Sequence, residues 1–214
     1  MRTIIFLLLM CIQITHSNAQ KTQIFALSPM AKDIEKVNGV VAGIGHFEKK
    51  GQVKYINGVN VDLMVLSPIV VMMGGRNGSS RYMQRDTILI VKGLNIGIGG
   101  YFEGVVHKGL NIAMYNEGIS MTGFSINGAY NSVNEFKGIS IAGLANITVQ
   151  SIGLNIAPFN MDVEMKGIQI GVLNKSMQVK GLQIGLINIT DKMNGLQIGV
   201  FNKNSKRVLP FINF

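Results

Sequence analysis

Few residues of this chain could move a proton or hold a metal. His46 and His107 are the histidines beyond the first 19 residues, and neither has a second His or a Cys at metal-ligand spacing. Each reads as a surface or turn histidine, so no metal site is expected. Asp162 and Glu164 stand two apart and would share one face of a strand, the placement paired-acid hydrolysis uses. No second pair recurs in a neighbouring repeat. Only folding could gather Asp62, Glu103, His46 and His107 into an acid–base cluster. Gly97-Ile98-Gly99-Gly100 has the composition of a phosphate loop but lacks the helix whose N-terminus would hold the anion. Asn77, Asn146 and Asn188 open glycosylation sequons, the last two inside repeats where Asn has a structural use. The chemistry-bearing residues thus predict no enzyme and no cofactor.

The regularity lies in the elements between them. Gly167-Ile168-Gln169-Ile170-Gly171-Val172-Leu173-Asn174 is repeated from Gly181 and again from Gly195, a period of 14. Looser copies open at Gly93, Gly109, Gly123, Gly138 and Gly153, and fainter ones at Gly39 and Gly58. Leu182, Ile184 and Leu186 alternate with Gln183, Gly185 and Ile187, so each copy is a strand. A helix would carry paired glycines at about 1 kcal/mol each. A second apolar pair, such as Met177 and Val179, gives each repeat a second strand. The odd step from Val179 to Leu182 requires a corner at Gly181, and by repetition at Gly167 and Gly195. Asn160, Asn174, Asn188 and Asn202 mark the other corner, where an amide can bond its own neighbours or the Asn of the next coil.

Strand, corner, strand, corner in about 14 residues predicts an all-β fold, a flattened parallel β-solenoid rising about 4.8 Å per coil. Leu and Ile are expected to fill its thin core, leaving Gln169, Gln183 and Gln197 as an exposed binding row. The rival is an antiparallel outer-membrane β-barrel, pore or anchor, which alternation, export and the terminal Phe214 favour. Pro210, the absence of Trp and the uniformly short turns count against it.

Arg2, the apolar run Ile4 to Ile12 and the small residues Ser17 and Ala19 form a signal peptide, residues 1–19, cut near Ala19. Residues 20–37 are a lead-in, and 38–214 the β-repeat domain, with an insert at about 67–90 whose Gly74–Arg81 stretch reads as an exposed loop. Cys11 falls in the segment removed, so a mature chain has no disulfide or thiolate site. Loss of Arg2 takes the formal charge from +9 to +8, with 19 basic residues against 11 acidic. Lys92, Lys108, Lys137, Lys166 and Lys180 are spread one per repeat without interleaved aromatics, unlike a nucleic-acid site. The partners expected are a surface glycan or another envelope component, at an extracytoplasmic location: cell surface, outer membrane or periplasm.

The tandem copies, with the tail Lys206-Arg207-Val208-Leu209-Pro210-Phe211-Ile212-Asn213-Phe214, carry a family likeness. The chain resembles a family of uncharacterised bacterial surface-repeat proteins, found mainly in Gram-negative species and built of G-[LV]-[QS]-[IL]-G-[LV] units after a signal peptide. The likeness runs from about Asn38 to the C-terminus; Asn127, Gly128 and Pro158 depart from the pattern. It implies a cell-surface location and transfers no activity, ligand or catalytic residue; the structural or adhesive role expected comes from the repeat rod with its exposed Gln, Asn and Lys side chains.

Overall fold

The computed structural model describes residues 22–46, 52–64, 69, 86–99 and 104–214. The proposed signal peptide, Glu103 and most of the proposed insert lie outside the described residues. Eight strands follow in chain order: β1 Thr22–Ser28, β2 Lys36–Gly43, β3 Lys54–Asp62, β4 Leu89–Gly97, β5 Val105–Ala142, β6 Ala145–Ile156, β7 Phe159–Lys203 and β8 Val208–Asn213. They form one sheet whose spatial order is the sequence order. β1 through β7 pair in parallel, each with the next. An outer-membrane barrel would need antiparallel neighbours throughout, so the parallel solenoid is the architecture and the barrel is not.

β7 has 45 residues, which as one straight strand would reach roughly 150 Å. Instead it winds round the solenoid, and its passes stack Gly167 under Gly181 under Gly195. The register is identical residue on identical place: Gly58 pairs Gly93, Gly93 pairs Gly109 and Gly153 pairs Gly167. Coils are about 15 residues long, and an unbroken run of 14-residue spacings extends from Gly153 to Gly195. The stack also begins earlier than Asn38. β1 is already hydrogen-bonded to β2, so the proposed lead-in is a coil of the solenoid.

Both corners are where the residue types place them. Gly181 has φ 142° and Gly195 φ 147°, a region L side chains avoid. A Cβ on Gly181 would also overlap the carbonyl oxygen of Gly167 one coil below. At the opposite corner the Asn side chains bond from coil to coil: Asn160 Nδ2 donates to Asn174 Oδ1, Asn174 to Asn188 and Asn188 to Asn202, each at 2.8 Å. Each amide spends its second N–H on a strand carbonyl; that of Asn174 donates to Ile184 O at 2.9 Å. The ladder thereby satisfies corner backbone that would otherwise be buried and unbonded.

The core differs from the expected one. Toward the N-terminus it is apolar, a cluster including Val37, Val41, Ile56, Leu89, Val91 and Val105. Beside it a polar column runs along the stack: Asn60, Asn95, Asn111, Asn155, Gln169, Gln183 and Gln197 are all buried. Leu182, Ile184 and Leu186, expected to fill the core, point outward instead, with Leu186 56% exposed. Period two defines two faces without saying which is inside. In-register stacking decides it at Gln169, Gln183 and Gln197, because each amide meets its own kind one coil away and loses little on leaving water.

β8 ends the stack. The chain reverses after Lys203 and β8 pairs antiparallel with the last pass of β7. Arg207 holds this return in place, its guanidinium 4.0 Å from the Phe214 ring centre while an N–H donates to the Phe214 backbone oxygen.

Candidate functional site

The residues singled out for chemistry are dispersed along the solenoid, and His46, Asp62, His107 and Asp162 are buried in its interior. His46 is buried with Nε2 3.0 Å from Asn60 Oδ1. His107 is buried with Nε2 3.2 Å from the Gly93 carbonyl. Burial pulls the His107 pKa down, and the Gly93 bond only partly offsets it, so the ring is neutral near pH 7. Among the described residues no group of three His, Cys, Asp or Glu could hold a metal ion. Asp162 and Glu164 do not share a face: Asp162 is buried while Glu164 is half-buried, because the strand changes its alternation between Asp162 and Met165.

Asp162 is the one deeply buried carboxylate joined to the glutamine column. Burial raises its pKa from 3.8 to about 7, against the pull of three donors: Thr148 Oγ1, Gln169 Nε2 and Asn155 Nδ2. From Asp162 the column continues through Gln169, whose Oε1 accepts from Gln183 Nε2 at 2.7 Å. Gln183 Oε1 accepts from Gln197 at 2.8 Å, and Gln197 Oε1 from Asn213 of β8 at 3.0 Å. Gln169, Gln183 and Gln197 are therefore not an exposed binding row. Their amides form a buried ladder that aligns coils, and no ligand reaches them without opening the stack.

The outer surface carries what the interior lacks. Counting from each corner glycine, the first and third residues point outward and the second inward. The first column reads Val40, Val59, Leu94, Leu110, Phe124, Ile139, Leu154, Ile168, Leu182, Leu196. The third reads Ala42, Val61, Ile96, Ile112, Ile126, Ile141, Ile156, Ile170, Ile184, Ile198. No member of either column is charged or polar. Strand pairing puts these residues directly over one another, as in Ile141 on Ile156 on Ile170. Several remain well exposed, among them Ile96 at 43% and Ile168 at 38%. Beyond small residues at the fourth place, Ile98, Val172, Leu186 and Val200 widen the strip. The other outer face is mixed, with Glu135, Lys175, Gln178, Asp191 and Lys192 exposed beside Tyr55 and Met177.

The lysines fall at the seam of these two faces. Lys92, Lys108, Lys137, Lys166 and Lys180 each precede a corner glycine and are exposed. Lys92 stacks on Lys108, and Lys137 is two coils from Lys166 in the same column. Near the C-terminal end Lys166, Lys180 and Lys192 surround a shallow depression of about 280 Å³, with Glu164, Gln178 and Asn194 also on its wall. The aliphatic columns were visible in the sequence but assigned to the core; their inward neighbours, Asn, Ser and Gln, are self-pairing amides and hydroxyls, which was the available signal. No family model, no curated protein and no solved structure matches the chain.

Proposed function

We propose that this chain is an exported, non-enzymatic protein of the bacterial cell envelope, a repeat rod with a structural and binding role. The observation that carries this is the two-column aliphatic face, which gives the rod an extended binding surface from Gly39 to past Gly195. The largest contiguous apolar patch on a monomeric soluble protein is typically about 300 to 600 Å² and is often functional. Export is supported by the segment from Arg2 to Ala19 and by the likeness to surface-repeat proteins. The absence of a catalytic step is supported by how the buried acid and histidines are used, since Asp162, His46 and His107 are engaged by side chains and backbone of the stack. An envelope component with an apolar surface suits the face better than a glycan, because the amides that would have met sugar hydroxyls are inside.

Cell fractionation tests the location. The full chain is expected in the envelope fraction, trimmed near Ala19, and a variant without residues 2–19 in the cytosol. Recovery of the untrimmed full chain from the soluble cytosol would refute the proposal.

A further inference from the structure

We propose that the aliphatic face lies flat on an anionic phospholipid bilayer, with the lysine column at its seam seated among the lipid phosphates. The inference rests on the envelope reading above and specifies the partner. Three observations point the same way. The first is size: ten rows at about 4.8 Å make a strip about 45 Å long, and five residues of strand make it about 13 Å wide, on the order of 600 Å². The second is composition. The first and third outward columns contain no charged or polar side chain, whereas the opposite outer face mixes the exposed charges Glu135, Lys175, Asp191 and Lys192 with Tyr55 and Met177. The outside of the rod is thus amphipathic, the property that holds a helix in the plane of a membrane interface.

The third is charge. Lys92, Lys108, Lys137, Lys166 and Lys180 line the seam where the apolar face ends, all exposed. A side chain there stands level with headgroups when the face beside it is sunk into the acyl boundary, and its alkyl stem follows the apolar surface while the ammonium reaches out. Charge also argues against the other occupant of an apolar strip, a second copy. Stacking two such faces antiparallel sets one lysine seam against the other, which repels; a parallel pair separates the seams, and light scattering tests for it. No helix among the described residues is long and apolar enough to cross a membrane; the attachment proposed is lateral and needs none.

The test is co-sedimentation of the purified mature chain with vesicles of phosphatidylcholine containing phosphatidylglycerol, compared with pure phosphatidylcholine. The chain is expected to pellet with the anionic vesicles and to be released partly by salt. Lys137→Gln, Lys166→Gln and Lys180→Gln together are expected to lower partitioning about a hundredfold, roughly fivefold for each lysine. Ile170→Thr, Ile184→Thr and Ile198→Thr keep β-branching, so circular dichroism should stay unchanged while partitioning falls at least tenfold. If the Ile variants bind as the parent does, the lysines act alone and the flat-lying geometry is overturned. If the chain ignores both vesicle types, or forms a stable dimer by light scattering that ignores them, lipid is not the occupant. Envelope fractionation with no vesicle binding would reject this inference and leave the proposed location standing.

Discussion

Asp162 should make the stability of the solenoid depend on pH in a direction opposite to that of most carboxylates. Its carboxyl is fully buried in the amide column, and its pKa is raised to about 7 from 3.8. Between about pH 4 and pH 7 the folded chain keeps a proton that the unfolded chain releases, so folding takes up a proton. Stability is then greatest below pH 4, falls as pH rises toward 7, and is flat above. A displacement from 3.8 to about 7 corresponds to roughly 4 kcal/mol at 1.36 kcal/mol per pKa unit, an upper bound. Asp162→Asn removes the titration while keeping an oxygen for Asn155 and Gln169 and an N–H for Thr148. The variant is expected to match the parent near pH 4 and to exceed it by about 2 to 4 kcal/mol near pH 8. Because the chain has no Trp, urea unfolding is best followed by far-ultraviolet circular dichroism. Parallel pH profiles for parent and variant would refute the assignment, as would a variant less stable near pH 8.

Other expectations follow from the two corners and the columns between them. Gly181→Ala places a Cβ against the Gly167 carbonyl at φ 142° and should cost about 3 kcal/mol or more, read as a fall in the urea midpoint. Asn188→Leu removes two 2.8 Å ladder bonds and the bond to Ile198 O; a loss of roughly 2 to 4 kcal/mol is expected, with hydrogen exchange rising first between Asn174 and Asn202. Lys54→Met leaves the carbonyls of Met30 and Ile34 without the ammonium that bonds them at 3.3 and 2.8 Å. A cost of about 2 kcal/mol confined by exchange to the first two coils would agree with this; uniform destabilisation would not.

Much of the fold was legible in the sequence because the repeat forces it. Gly181 and Asn188 recur where a corner needs positive φ or a self-bonding amide, and both stand at corners. Parallel register follows from the same identity, since like residues stack only when successive coils run the same way. The facing of the strands was not legible from hydropathy. Leu182 and Ile184 are the most apolar residues of their copy and lie outside; Gln183 lies inside. Hydropathy assigns each side chain its transfer cost alone, whereas a Gln bonded to Gln169 and Gln197 at 2.7 and 2.8 Å has replaced the water it left. For the same reason the proposed binding row dissolved into the core, and the surface offered for binding came from residues expected to be hidden. The departure of Asp162 and Glu164 from one face had no sequence signal, because a local change of alternation depends on how the coil turns.

The reversal at β8 has a consequence for how such a chain can change length over evolutionary time. Asn213 Nδ2 donates to Gln197 Oε1 at the end of the glutamine ladder, and Leu209 O accepts the N–H of Asn202 at 3.3 Å, so the terminal strand is a fixed closure. Within the last three copies, an in-frame duplication of one 14-residue unit slots between near-identical neighbours. The duplicate meets a matching glycine, asparagine and glutamine on each side and lengthens the rod by about 4.8 Å. Unequal recombination between near-identical copies is thereby structurally neutral, provided that it spares the closure. The rod behaves as a ruler whose graduations can be added or removed in the gene, one coil at a time, with its cross-section unaltered.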